Sequence, residues 1–208
     1  TATCGTVAAA ATAASLLRLD FEKTRMAIGI AGTMAAGLQE TFGTHAKPLN
    51  IGHACQSGIQ AALLASEDFT GPENILTGEK GFIKATSTDR EIQLLEQIGD
   101  KQFLSHTAFY KMYSSCGHTH SPLDAIIGLI QEHSLSPQVI KKIQIETYRT
   151  AVELTGQLKN SSEDEAKFSL PYCIACALLY QAVTLEEFTP EKLQDPQILD
   201  LARKVHII

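Results

Sequence analysis

Apolar and small residues dominate the first third of the chain, in runs separated by polar turns. The uncharged segment 6–17 is rich in alanine, and its length and composition predict a buried helix. Asp20 is of a type preferred at helix N-caps, so we expect it to start a second helix that reaches about Gly37. Interior glycines weaken a helix, so Gly29 and Gly32 predict that a neighbouring segment packs closely there.

The stretch from Gly43 to Ala65 predicts a loop that leads into a third helix. Lys47 precedes Pro48, a position that disfavours the α conformation, so we expect Lys47 on extended backbone. Asn50 is then the predicted N-cap of the helix behind it. A lysine beside the N-terminus of a helix forms an anion site. The alternative is a core helix preceded by a solvated lysine, and this stretch by itself favours that alternative.

The second half of the chain has a different periodicity. Ser121 followed by Pro122 has the form of an N-cap and a first helical residue, and this helix should run to about His133. Apolar and polar residues alternate over 143–147, which is the period of a half-buried strand. We therefore predict the order strand, helix, strand over 109–148, and a small α+β domain that begins near residue 100.

Small-residue and capping patterns return towards the end of the chain. Residues 173–179 predict another helix like those near the start. Thr189 and Asp195 are each followed by proline, so each predicts the N-cap of a short helix. The last residues, 205–208, predict a strand.

Charge and cysteine content restrict the class of protein. The chain has 208 residues, with 17 Lys and Arg against 23 Asp and Glu, a net charge of −6. No basic cluster indicates nucleic acid or an anionic membrane surface as a partner. Five irregularly spaced cysteines are typical of a reduced compartment, the cytoplasm or an organelle matrix. We expect neither a signal peptide nor a membrane span in residues 1–17, and we expect the chain to be a fragment.

Polar side chains are concentrated in the loop before the helix at Ser121. The residues with candidate chemistry there are Lys111, Tyr113, Ser115, Cys116, His118 and His120. Alternate spacing of Cys116, His118 and His120, without an obvious fourth ligand, is only a weak zinc pattern, so we predict no metal. Packing is favoured over nucleophilic catalysis for Cys116, because the sequence identifies no base partner.

The candidate site residues outside this loop have fewer polar neighbours along the sequence to support a functional role. Cys173 and Cys176 have a redox spacing but lack the surrounding βαβ pattern, so we expect buried structural cysteines. His53 and Lys167 lie at loop–helix junctions, where each either contacts a ligand or has a structural role. The remaining histidines are interpreted as structural or surface residues: His45, His106, His133 and His206.

Two lysines at loop–helix junctions, together with histidines, predict a pocket for a small polycarboxylate. Cationic groups hold carboxylates and stabilise an enolate-like charge, while a histidine, lysine or tyrosine transfers a proton. The sequence contains neither a phosphate-binding loop nor a dinucleotide fingerprint.

Three stretches in this order resemble the MmgE/PrpD family, which includes 2-methylcitrate dehydratase, cis-aconitate decarboxylase and iminodisuccinate epimerase. The matching residues lie in 37–82, with Phe42-Gly43, Lys47-Pro48-Leu49, Gly52 and Gly58, in Lys111-x-Tyr113-x-Ser115-Cys116-x-x-Thr119-His120 with Asp124-Ala125, and in Lys167-Phe168-Ser169-Leu170-Pro171-Tyr172. The resemblance covers essentially the whole chain, although members of the family are much longer.

The resemblance implies a mainly α fold, a multihelical domain with an inserted small α+β lid domain. The implied parts are a helical domain over 1–95, the lid over 96–160, a return to the helical domain over 161–185 and helices leading into a further lid strand over 186–208. It also implies an active site in the cleft between the two domains, no metal or organic cofactor, and commonly a homodimer.

The resemblance further implies that Lys47 is a site lysine and that Lys111 and the residues up to His120 form the lid side of the cleft. On this basis we hypothesise a role for each candidate residue. Lys47, Lys111, Tyr113 and His120 are the expected catalytic residues. The expected substrate contacts are Asn50, His53, Ser115, Cys116, His118 and Lys167.

Two departures from the family pattern bear on the reaction. Asn50 stands where many members have histidine, and Cys116 stands where the decarboxylase branch has a catalytic histidine. The expected activity is therefore a 2-methylcitrate dehydratase-like hydro-lyase rather than a decarboxylase. The alternatives are an iminodisuccinate epimerase-like isomerase and a catalytically silent binding or scaffold protein.

Overall fold

The computed structural model describes residues 2–88 and 108–208, which divide into two compact units. The described residues are mainly helical with one small sheet, which confirms the prediction of a mainly α fold, while the inserted lid domain stays a prediction. Within them, no helix is long and apolar enough to cross a membrane. The predicted boundary near residue 100, the first residues of the expected lid and His106 lie outside the described residues.

The first unit contains residues 2–41 and 45–88. Its helices are α1 (Ala2–Leu16), α2 (Phe21–Met34), α3 (Ala46–Ser66) and the short α4 (Phe82–Thr86). The first two confirm the predicted helices, although α1 starts before residue 6 and α2 ends before Gly37. Asp20 is the N-cap of α2, and its carboxylate accepts the backbone N–H of Lys23 at 2.9 Å.

Small residues form the core of the first unit. The fully buried positions are almost all alanines from three helices: Ala10, Ala14, Ala27, Ala31, Ala61, Ala62 and Ala65. A Cβ added to Gly58 of α3 would lie 2.5 Å from the Cβ of Ala9, and one added to Gly29 would lie 2.5 Å from the carbonyl oxygen of Pro72. These distances confirm the close packing predicted from the helical glycines.

The predicted start of the third helix is wrong. Helix α3 begins at Ala46, so Lys47 and Pro48 lie in its first turn and Lys47 is not on extended backbone. Proline is tolerated there, because its missing N–H would have had no intrahelical partner. Asn50 lies inside the helix and is not its N-cap; its Nδ2 donates to Oγ1 of Thr41 at 3.1 Å. The helix N-terminus predicted behind Asn50 is therefore absent.

The second unit contains Phe42–Thr44 and Ala108–Ile208. Its helices are α5 (His120–His133), α6 (Arg149–Thr155), α7 (Glu163–Ala166), α8 (Leu170–Tyr180), α9 (Pro190–Leu193) and α10 (Pro196–Ala202). Its strands are β1 (Ile143–Ile145) and β2 (Val205–Ile207), which pair in parallel. Ile143 lies opposite Val205, and both strands were predicted at these places.

The strand predicted before α5 is wrong. Residues 108–116 form an irregular loop. The backbone N–H of Ser114 donates to the carbonyl of Val183 at 2.9 Å, and that of Cys116 donates to the carbonyl of Lys167 at 2.8 Å. These donors therefore bond two separate segments of the chain instead of a neighbouring strand.

The prediction of Ser121 as an N-cap is also wrong. A short 3₁₀ helix, Gly117–Thr119, leads directly into α5 at His120, so Ser121 lies in the first turn. The predicted end at His133 is confirmed, because Ser134 has a left-handed backbone with φ of 50°. Thr189 and Asp195 are the N-caps of α9 and α10, as predicted.

Helix α8 forms the centre of the second unit. All its residues from Leu170 to Leu178 are buried. Cys173 and Cys176 are buried, as predicted, and this burial raises the pKa of Cys173 well above its usual range and that of Cys176 to about 12. The return of 161–185 to the helical domain stays a prediction.

Candidate active site

The loop from Lys111 to His120 carries most of the predicted site residues, and it belongs to the second unit. Backbone bonds from Ser114 to Val183 and from Cys116 to Lys167 anchor it. The loop continues through the 3₁₀ helix into α5, which places His120 at the first position of that helix. Tyr113 and His120 are thereby brought together from opposite ends of the loop.

Tyr113, His120 and Asp124 form a contiguous group. The hydroxyl of Tyr113 donates to Oδ1 of Asp124 at 2.6 Å. The ring of Tyr113 packs edge-on against the imidazole of His120, with centroids 5.2 Å apart and planes at 82°. His120 and Asp124 are four residues apart on α5 and so share one face of the helix.

The chemical states of this group follow from its surroundings. Burial, and then the hydrogen bond and charge of Asp124, raise the pKa of Tyr113 to about 12, so its phenol stays protonated at neutral pH. Nε2 of His120 is buried and has no hydrogen-bond partner within residues 2–88 and 108–208. A buried nitrogen left unpaired costs about 1–3 kcal/mol. His120 is therefore the member of the group with a ring nitrogen that has no hydrogen-bond partner among the described residues.

The polar side chains between Tyr113 and His120 mostly stabilise the loop. Ser115 and Thr119 are buried, and their hydroxyl oxygens lie 2.7 Å apart. Thr119 donates to the carbonyl oxygen of Cys116 at 2.7 Å, so Ser115 is the donor to Thr119. Nζ of Lys111 donates to the carbonyl oxygen of Ser115 at 3.0 Å. An ammonium group has three hydrogens, so this bond leaves two for a carboxylate.

His118 is held by a partner from outside the loop. Its Nδ1 makes a short hydrogen bond with the hydroxyl of Tyr148, and the two rings meet edge-on with centroids 5.6 Å apart. Tyr148 follows β1 and precedes α6. The two rings therefore connect the site loop to the end of the strand.

Lys167 reaches the site loop through its backbone. Its carbonyl accepts the N–H of Cys116, while its Nζ lies 3.6 Å from Oδ1 of Asp164 and 5.9 Å from the ring centre of Phe188. Its role as a substrate contact stays a prediction.

Lys47, Asn50 and His53 belong to the first unit. Lys47 and Asn50 are partly buried on α3, and His53 is exposed with Nε2 3.5 Å from Oγ of Ser57. Their roles as site residues also stay predictions. Among the residues that the structure describes, no three His, Cys, Asp or Glu side chains converge on a position for a metal ion.

Two residues that contact the predicted site were not among its predicted members. Asp124 belongs to the sequence pattern of the loop and α5, and its i,i+4 spacing from His120 is a usable signal. Tyr148 has no such signal, because it lies far from His118 along the sequence and the alternating pattern before it indicates only a strand.

An apolar groove of about 360 Å³ lies elsewhere in the second unit, between α5 and β1. Pro122, Ala125 and Leu129 of the helix line one side, and Ile143 and Ile145 of the strand line the other. None of the predicted site residues lines it.

The fold and the site define a mainly α protein whose second unit carries a histidine, tyrosine and aspartate group suited to proton transfer. Comparison with protein families identifies it further. Residues 1–95 match the model of the MmgE/PrpD N-terminal domain, and residues 113–208 match that of the MmgE/PrpD C-terminal domain. The chain belongs to the MmgE/PrpD family.

Relatives of known activity agree with this assignment. A cis-aconitate decarboxylase of Homo sapiens is 31% identical over 211 residues, which are 98% of this chain and 43% of the relative. That of Mus musculus is 28% identical over 221 residues, again 98% of this chain and 43% of the relative. A cis-aconitate decarboxylase of Aspergillus terreus is 26% identical over 227 residues, which are 97% of this chain and 46% of the relative. The chain thus spans less than half the length of the relatives it matches.

Proposed function

We propose that the full-length protein is a lyase-type enzyme that removes a proton from the carbon next to a carboxylate of a small polycarboxylate. The observation that carries this proposal is the buried Nε2 of His120, which has no partner among the described residues and lies in a group with Tyr113 and Asp124. The unprotonated nitrogen of a neutral imidazole is a hydrogen-bond acceptor and can serve as a general base. Family membership supports the reaction class.

The contacts of His120, Tyr113 and Lys111 support separate roles for these residues in the proposed reaction. His120 is the base, because the hydrogen of Tyr113 is donated to Asp124 and the raised pKa of Tyr113 keeps its phenol protonated at neutral pH, so no phenolate is present to accept a proton. Lys111 is the candidate acid and carboxylate ligand, since its bond to the carbonyl of Ser115 leaves two hydrogens. Lys47 is the second carboxylate ligand, as the family resemblance implies.

The proposed reaction is dehydration of the 2-methylcitrate type. His120 takes the proton from carbon, and the electrons of that C–H bond form a carbon–carbon double bond. The hydroxyl group on the adjacent carbon leaves with a proton from Lys111, as water. Lysine charges near the carboxylates stabilise the negative charge that develops during proton removal. Cys116, in place of the histidine of the decarboxylase branch, supports dehydration over decarboxylation.

A second candidate is decarboxylation, which the names of the relatives favour. In that reaction the bond to a carboxylate breaks, carbon dioxide leaves, and the remaining carbanion takes a proton. The same lysines would hold the other carboxylates, and a protonated side chain would supply the proton. The two candidates therefore differ in the bond that breaks and not in the kind of substrate.

A substrate panel separates the candidates. The full-length protein is incubated with 2-methylcitrate, citrate, cis-aconitate and iminodisuccinate, while enoate absorbance, carbon dioxide release and optical rotation are followed. We expect enoate formation from a tricarboxylate with a hydroxyl group. Carbon dioxide from cis-aconitate would instead support the second candidate, and a change of rotation without either product would indicate an epimerase. Inactivity on the whole panel would favour a binding or scaffold protein.

Site variants then test the residues. We expect His120→Ala to lower kcat by about 10²- to 10⁴-fold, the range for loss of a general base. We expect Lys47→Ala to raise KM by at least about tenfold, because a charge-assisted hydrogen bond is lost. Lys84→Ala, which removes an exposed ion pair with Glu79 in the first unit, is the matched control. Unchanged turnover of every substrate by Lys47→Ala would contradict its assignment.

We also propose that the full-length protein works as a homodimer without a metal or organic cofactor, as the family resemblance implies. Light scattering should give the mass of two chains. Dialysis against a chelator should leave turnover unchanged. A monomer, or activity restored only by added metal, would contradict these two points.

A further inference from the structure

Tyr113 links Asp124 to the candidate base, His120, through side-chain contacts. It lies one turn after His120 on α5, and Tyr113 spans the two residues. The Tyr113 hydroxyl donates to Oδ1 of Asp124 at 2.6 Å, while the Tyr113 ring packs edge-on against the imidazole of His120. A substitution at Asp124 can therefore alter the position of the His120 imidazole by changing the orientation of the Tyr113 ring.

The backbone around Tyr113 is anchored independently of Asp124. The N–H of Ser114 donates to Val183, and the N–H of Cys116 donates to Lys167. These bonds fix the course of the loop but not the side-chain torsions of Tyr113. In the described part of the chain, the side-chain hydrogen bond of Tyr113 is the one to Asp124.

We propose that Asp124 is a positioning residue: by accepting the phenolic hydrogen of Tyr113, it sets the ring against which His120 packs and so holds Nε2 of His120 in one orientation. This inference rests on the proposed role of His120 as the base. Because the phenol of Tyr113 stays protonated at neutral pH, the donor of this hydrogen bond is present under working conditions. A purely structural role, as an acid near the start of α5, would stabilise the helix without acting through Tyr113.

Kinetics of the full-length protein separate these two roles. Asp124→Asn keeps an acceptor oxygen, and we expect its kcat to stay within about threefold of the wild type. Asp124→Ala removes the acceptor and should lower kcat by about 10- to 100-fold at unchanged KM, since a misplacement of about 1 Å costs up to about a hundredfold. In a Tyr113→Phe background, Asp124→Ala should have little further effect, because the hydrogen bond is already lost. Glu132→Ala, at an exposed position on the same helix, is the control.

A second measurement does not depend on activity. In the full-length protein labelled with ¹³C-histidine, the ring resonance of His120, assigned with His120→Gln, reports the ring current of Tyr113. We expect this resonance to shift in Asp124→Ala and in Tyr113→Phe but not in Asp124→Asn. An unchanged resonance in Asp124→Ala would overturn the inference. So would a double variant of Tyr113→Phe and Asp124→Ala whose fold-loss of kcat equals the product of the losses in the two single variants. If the wild type turned over no substrate, the proposed function would fail while the resonances still decided whether Asp124 positions His120.

Discussion

The backbone N–H of Cys116 donates to the carbonyl oxygen of Lys167 at 2.8 Å. This bond fastens the loop with the candidate acid–base residues to the segment that leads into α8, whose residues 170–178 are buried. The geometry of the candidate site therefore depends on how firmly the start of α8 is held. Ser169, which lies two residues after Lys167, is the side chain that holds it.

Replacing Ser169 should destabilise the protein. Its buried hydroxyl donates to the carbonyl of Gln157 at 3.0 Å and accepts the N–H groups of Lys159 and Tyr172. We expect Ser169→Ala to lower the free energy of unfolding by about 2 kcal/mol or more, because it removes a helix cap and a buried hydrogen-bond donor. Urea denaturation of the full-length protein measures this change.

The matched control is Ser162→Ala, which removes the cap of the short helix α7. Ser162 is exposed and accepts one N–H, from Glu165. Its replacement should cost less than about 1 kcal/mol. Equal losses for the two serines would show that the contacts of Ser169 do not secure the start of α8.

Replacing each of two glycines of α3 with alanine should change the free energy of unfolding in opposite directions. A Cβ at Gly58 would lie 2.5 Å from the Cβ of Ala9 and 2.6 Å from the backbone nitrogen of Ala10. Gly58→Ala should therefore destabilise the protein by about 1–3 kcal/mol through overpacking. At Gly52 the added Cβ meets no described neighbour within 4 Å, so Gly52→Ala should gain up to about 1 kcal/mol of helix propensity. Thermal unfolding of the two variants compares them directly, and a stabilised Gly58→Ala would refute the close packing of α1 on α3.

The pKa of Tyr113 predicts a loss of stability at alkaline pH. Its folded value of about 12 lies above the value of about 10 for an unfolded chain. Between these values the folded protein keeps a proton that the unfolded chain has lost. This contribution to the free energy of unfolding is therefore complete below about pH 10 and falls as the pH rises to about 12.

Tyr113→Phe removes this contribution and leaves the other tyrosines in place. Its free energy of unfolding should therefore fall less steeply than that of the wild type over this range. The difference in phenolate absorbance between the two proteins should show one ionisation with a midpoint near pH 12. A midpoint near 10 would mean that Asp124 and burial do not hold the phenol in its neutral form.

Position 116 should influence the choice between dehydration and decarboxylation. Cys116 has φ of −59° and ψ of 137°, a conformation open to any L residue, so a histidine fits the backbone there. In the full-length protein, we expect Cys116→His to raise carbon dioxide release from cis-aconitate relative to enoate formation from hydroxy-tricarboxylates. Cys116→Ser is the control without an imidazole. The same product ratio in both variants would exclude this position as the determinant.

The features that were predicted correctly from the sequence depend on neighbouring residues along the chain. Asp20, Thr189 and Asp195 were identified as N-caps because a cap bond closes within two or three residues. The alternation over 143–147 located β1 because a strand exposes every second side chain. The loop from Lys111 to His120 was identified as chemically rich from its residue types.

The wrong predictions concern positions where one local signal fits two different structures. A proline after Lys47 is compatible with extended backbone and with the first turn of a helix, and the chain adopts the second. Ser121 before Pro122 has the form of an N-cap, but the 3₁₀ helix before it moves the helix start to His120. At both positions the local pattern is compatible with more than one helix start.

The sequence by itself determined that the chain is mainly helical, that small residues let α1, α2 and α3 pack closely, and that the family is MmgE/PrpD. Periodicity, capping and residue size are local properties, so they can be read without coordinates. Only the tertiary structure decided that Tyr113 donates to Asp124, that His118 meets Tyr148 and that Cys116 is anchored to Lys167. Side-chain partners from separate segments depend on how the chain packs, and it is this packing that distinguishes His120 as the candidate base.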